Sequence, residues 1–185
     1  MKKALAIIAT VAALAVSADA QTTFSGTLTV YPGWTHTKVV GASTVSEALG
    51  NLLTWTHASG TNANQMSTLF RDAGTLTNGQ DRTFDLAGSV TNSFGDVLTF
   101  EKVNFLAFAA DGDNVDPINI GAAGVATPFD SWLTDTNAAI IVRPGGFVLL
   151  TAPDLTGYNA NEGNLRILNT GTNDAEYQIY IGGSE

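Results

Sequence analysis

The densest set of hard oxygen donors in the 185-residue sequence is Asp111-Gly112-Asp113-Asn114-Val115-Asp116. Carboxylates and an amide this close together suit Ca²⁺, which takes about six to eight oxygen ligands. An EF-hand loop would place Gly at its sixth position and Glu at its twelfth, where this sequence has Asp116 and Ala122. A looser calcium loop through Asp111, Asp113 and Asp116 is therefore one expectation. The plainer one is a solvated connection between two strands, with no cofactor.

The stretch Tyr31-Pro32-Gly33-Trp34 sets two aromatics beside a turn. Aromatics so placed stack on sugars or anchor protein interfaces, and they also fill cores. The histidines, His36 and His57, stand among threonines and outside any H-E-x-x-H pattern. They read as surface strand residues. There is no G-x-S-x-G elbow, and with no cysteine there is no thiol nucleophile and no zinc thiolate site. Most carboxylates, among them Asp72, Asp81, Asp130, Asp154 and Asp174, fall in turn-like contexts, where they ordinarily bond their own backbone. No pair is set apart for glycoside hydrolysis, so no enzyme is expected.

One glycine pair invites a ligand reading, in "IIVRPGGFVLL" at 140–150. A phosphate-cradling glycine loop opens a helix, whereas both flanks here are strand-like. Pro144 at the second position and Gly145 at the third suit a type II turn. The pair is expected to turn the chain rather than hold a ligand.

The elements that must position these residues begin after an address. Lys2-Lys3, the apolar run from Ala4 to Val16 and Ala18-x-Ala20 form a secretory signal pattern. The run is too short to span a bilayer. Residues 1–20 are thus expected to be a signal peptide and residues 21–185 a single domain, secreted or at the cell surface. Cleavage after Ala20 would remove Lys2, Lys3 and Asp19 and move the net charge from −9 to −10. Such an acidic chain repels nucleic-acid phosphate and anionic lipid. Without cysteine, no disulfide supports the exported fold, so stability has to come from the core, a metal or assembly.

Period-two patterns dominate. In 22–31 Phe24, Leu28 and Val30 share one parity, against Thr27 and Thr29. "RTFDLAGSV", "DVLTFEKVNFLAFAA", "PINIG", "FDSWL", "AAIIV", "FVLLT", "NLRIL" and "YQIYIGG" read as strands separated by Gly, Pro, Asn and Asp. The parity change between Phe100 and Val103 predicts a bulge near Glu101-Lys102. Residues 43–58 stay open between strand and short helix, since Thr44-x-x-Glu47 resembles a capping box while Gly50 weakens a helix. About ten short strands without a helical layer imply an all-β fold, a single-domain antiparallel β-sandwich or jelly roll. The segment 21–34, with Phe24, Leu28, Val30, Tyr31 and Trp34, could serve assembly as a strand donated to a neighbour's edge.

From residue 69 onward the pattern resembles a family of small β-rich structural proteins found among tailed-phage virion genes. The segments that carry this are "LFRDAGTLTNGQDRTFDLAGSVTNSFGDVLTFEKVNFLAF" (69–108), "INIGAAGVATPFDSWL" (118–133), "IIVRPGGFVLLTAPDLTGY" (140–158) and "LRILNTGTNDAEYQIYIGG" (165–183). The resemblance implies a jelly-roll-like subunit of an assembly without catalytic residues. Two departures are the secretory signal and residues 21–68. The combined expectation is a secreted, non-enzymatic subunit whose partners are copies of itself, in a surface filament, sheath or virion-like shell. The alternative is a carbohydrate-binding module, calcium-dependent or not, using Tyr31, Trp34, Trp55, Trp132 and the Asp111–Asp116 loop.

Overall fold

The computed structural model of the chain describes residues 25–30, 33–40, 43–50, 53–88, 90–121, 124–133, 135–160 and 163–185. The expected signal peptide and the expected interface residues Phe24 and Tyr31 lie outside them. The described residues hold sixteen strands and no helix. They are β1 (Ser25–Val30), β2 (Gly33–Val40), β3 (Ser43–Gly50), β4 (Leu53–Ser59), β5 (Gln65–Met66), β6 (Thr68–Leu76), β7 (Asp81–Asp85) and β8 (Val90–Thr91). There follow β9 (Val97–Leu98), β10 (Lys102–Ala110), β11 (Ile118–Gly121), β12 (Ala139–Val142), β13 (Phe147–Thr151), β14 (Tyr158–Asn159), β15 (Asn164–Asn169) and β16 (Ala175–Ser184).

Two antiparallel sheets make a β-sandwich. One runs β13-β10-β16-β6, with β14 also on β10, and the other β12-β11-β15-β7. Alternation in the sequence sets the inward faces. On β16, Ala175, Tyr177, Ile179 and Ile181 are buried while Glu176 and Gln178 are exposed. On β15, Leu165 and Ile167 are buried, and on β10 Leu106 and Phe108. Phe70 of the first sheet meets Phe84 of the second edge-on, with ring centroids 5.4 Å apart. Aromatic pairs of this kind add about 0.5–1.5 kcal/mol to the burial of their area.

Several local expectations hold. Gly145 has φ 71°, and the Gly146 N–H donates to the Arg143 carbonyl at 2.7 Å, which closes the expected turn between β12 and β13. The register of β10 on β16 shifts between Val103 and Phe105, so the bulge is at Asn104, slightly later than the parity change suggested. "FDSWL" is not a strand. It is a turn in which the Leu133 N–H donates to the Asp130 carbonyl, and Phe129 is buried in the core.

The described residues of 43–58, namely 43–50 and 53–58, are strand, not helix. β3 pairs with β2 and β4 with β1, both antiparallel. Ser25 lies opposite Ala58, Val30 opposite Leu53, Gly33 opposite Gly50 and Val40 opposite Ser43. The two ladders therefore keep one register and read as a single β-ribbon. A capping-box pattern is local, and the cross-strand pairing of β3 with β2, rich in β-branched residues, overrides it. No sandwich strand pairs with β2 or β3 among the described residues. The ribbon joins the sandwich at its base, where β4 pairs in parallel with β5. Loop bonds secure that base: the Asn64 N–H donates to the Pro153 carbonyl at 2.8 Å and the Ser67 N–H to the Gly183 carbonyl at 2.9 Å.

Candidate functional site

The base of the ribbon is seated on the outer face of the β13-β10-β16-β6 sheet. His57 is only 2% exposed, contrary to its reading as a surface residue. Its ring stacks on Phe105, with centroids 6.1 Å apart and planes at 30°. Among the described residues neither imidazole nitrogen has a hydrogen-bond partner. Burial alone moves the imidazole below its ordinary pKa of 6.5. Gly182 makes the seat possible, since a Cβ there would run into the Phe105 ring and the Met66 sulfur. The missing side chain leaves the space that both occupy.

Beyond Phe105 the same sheet face stays apolar. Ala107 lies opposite Leu149 on one side and Tyr180 on the other, and Phe147 beside Ala109 is 66% exposed. Together they border a shallow groove of about 160 Å³. An apolar face open to water is a mark of an interaction site.

The acidic loop is spent differently. Asp111 Oδ1 accepts the Asp113 N–H at 2.8 Å, an Asx turn. Asn114 and Glu176 exchange two bonds, Asn114 Nδ2 to the Glu176 carbonyl at 2.8 Å and the Glu176 N–H to Asn114 Oδ1 at 2.7 Å. Asp116 turns to another loop, where its Oδ2 accepts the Thr172 N–H, the Asn173 N–H and the Asn173 amide at 2.8–2.9 Å. These donors hold its carboxyl below the usual range, the Asn173 N–H foremost. Among the described residues no three acidic or imidazole groups converge on a cation position. The loop fastens the β10–β11 connection to the β15–β16 connection, and the expected calcium set does not come together.

The tryptophans are likewise dispersed. Trp132 Nε1 donates to the Phe129 carbonyl at 3.0 Å and its ring lies 6.2 Å from that of Phe129, so it belongs to the fold. Trp55 is half-buried on the ribbon, and Trp34 falls within β2. Leu28 and Val30 fall within β1, whose partner is β4 of the same chain. Within the segment 21–34 expected to be donated to a neighbour's edge, residues 25–30 are thus already paired along one side.

A polar cluster that sequence reading did not single out ties the two sheets. The Tyr177 hydroxyl donates to Asp72 Oδ2 at 2.6 Å, and Arg82 Nη1 reaches both Tyr177 Oη at 3.0 Å and Asp72 Oδ2 at 3.1 Å. Desolvation and the Asp72 carboxylate push the Tyr177 hydroxyl up to about 12. Tyr177 comes from a part of the chain far from Asp72 and Arg82, and nothing in their spacing announces the cluster.

No family model matches this chain, and no curated protein or solved structure does.

Proposed function

We propose that the chain is a secreted, non-enzymatic structural subunit that self-assembles, as in a surface filament, sheath or shell. The observation that carries this is the ribbon. A two-stranded hairpin alone is marginally stable in water, and among the described residues no sandwich strand pairs with the outer ladder of β2 and β3. Along the odd-numbered side of β4 the cover thins outward, from buried His57 through half-buried Trp55 to Leu53, which is 39% exposed. An apolar stripe that runs off its domain fits a partner. The resemblance to tailed-phage structural proteins and the export signal point to the same kind of object.

Sedimentation velocity over a wide concentration range tests this. Species that grow with concentration are expected. A monomer at every concentration that shifts on a glycan array would replace the proposal with the carbohydrate-binding reading.

A further inference from the structure

Register and alternation lay out the outer face of the β13-β10-β16-β6 sheet beyond the ribbon's seat. Leu149, Ala107, Tyr180 and Arg71 form one row across the four strands. Phe147, Ala109, Gln178 and Ala73 form the next row, all exposed. Glu176 and Thr75, opposite each other and exposed, begin a third. The alanines of β10 leave a furrow between the larger side chains of β13 and β16. Its apolar stretch is the groove of about 160 Å³ between Phe147 and Tyr180. At Ala109 and Gln178 this groove meets a more polar depression of about 420 Å³, which reaches Thr75, Asp111 and Glu176. The polar groups along the furrow are uncommitted. Among the described residues no hydrogen bond engages the side chains of Gln178, Thr75 or Glu176. The Arg71 guanidinium lies 5.5 Å from the centroid of the Tyr180 ring, and among the described residues it has no carboxylate partner.

Apolar walls with a few convergent polar groups are the usual make-up of a small-ligand site. Here an amide, a hydroxyl, a carboxylate and a guanidinium supply both donors and acceptors. Phe147 and Tyr180 supply aromatic surface beside them. A sugar ring uses both kinds of surface, because its hydroxyls donate and accept while its C–H face packs on an aromatic ring. A purely apolar partner would bury these polar groups unpaired. An anionic sugar would meet Glu176 and Asp111 in a chain of net charge −9. We propose that the furrow binds a neutral oligosaccharide, with sugar rings packed on Phe147 and Tyr180 and hydroxyls bonded to Gln178, Glu176, Thr75 and Arg71. This goes beyond the self-assembly reading and does not rest on it, since an assembled subunit can present the same face.

The test is binding of the secreted protein to immobilised neutral oligosaccharides built from glucose, mannose, galactose or N-acetylglucosamine, with polygalacturonate as the anionic control. Binding to at least one neutral oligosaccharide is expected, and none to polygalacturonate. Phe147→Ala and Gln178→Ala, both at exposed positions, should each weaken that binding roughly tenfold or more with the melting temperature unchanged. Ile141→Ala, exposed on the other sheet, should leave it unchanged. Absence of binding to every neutral oligosaccharide would overturn the proposal, as would binding that both furrow variants retain in full. Binding to polygalacturonate alone would overturn it too. Sedimentation of the same variants keeps this separate from self-assembly. Loss of assembly in Phe147→Ala, with no sugar bound by the wild type, would assign the face to a second copy and refute the sugar site.

Discussion

The His57 imidazole is stacked on the Phe105 ring at 6.1 Å, buried, with neither nitrogen hydrogen-bonded among the described residues. This contact helps to seat the ribbon's base on the sandwich, and it is a contact that a proton would weaken. Burial lowers the imidazole pKa, so the folded state favours the neutral ring. A depressed folded pKa contributes stability that is fully present above the unfolded value of 6.5 and is lost as pH falls through the folded value. Acidification below 6.5 should therefore release the ribbon base before the sandwich unfolds. Trp55 fluorescence should shift with pH in the wild type and lose that dependence in His57→Leu. A pH response unchanged in the variant would contradict this.

Gly182→Ala tests the seat from beneath. The added methyl meets Phe105 and Met66, and overpacking of this kind costs typically 1–3 kcal/mol. The melting temperature should fall, and limited proteolysis should cut near 57–66 sooner than in the wild type. Wild-type behaviour in both would mean that the contact is looser than the structure shows.

Tyr177→Phe removes the hydroxyl shared between Asp72 and Arg82 and leaves the ion pair between them. The expected loss is about 1–2 kcal/mol in denaturant melts, the range for a hydrogen bond to a charged partner. Because the folded pKa is raised, the hydroxyl's contribution is complete below the ordinary 10 and is lost as pH rises through about 12. The alkaline unfolding midpoint should therefore differ between wild type and variant. Identical alkaline curves would refute the sign.

Asp116 fastens the loop at 170–173 through the Thr172 and Asn173 N–H groups. Addition of Ca²⁺ should leave the melting temperature unchanged. Asp116→Ala should lower it, an effect that shrinks on acidification because the depressed carboxyl contributes only while ionised. A calcium-dependent rise in the melting temperature that Asp116→Ala abolishes would restore the metal loop.

The sandwich was legible because alternation in β10, β15 and β16 repeats over enough residues to fix an inward face. The Pro144-Gly145 turn was legible because its geometry depends on two adjacent residues. What was not legible depends on partners outside each residue's own local pattern. Thr44 and Glu47 carry a helix-start pattern, and only pairing with residues 33–40 makes them strand. His57 looks exposed among threonines until Phe105 and Gly182, far along the chain, supply its seat. Asp111, Asp113 and Asp116 are close in sequence, yet Asp116 is drawn to Thr172 and Asn173. Clustered ligand types say nothing about where each carboxylate points.

The most direct measurement is negative-stain electron microscopy of purified protein beginning at Gln21, with and without Ca²⁺. Regular filaments, tubes or shells in both conditions are the expected result. Featureless monomers in both would contradict self-assembly.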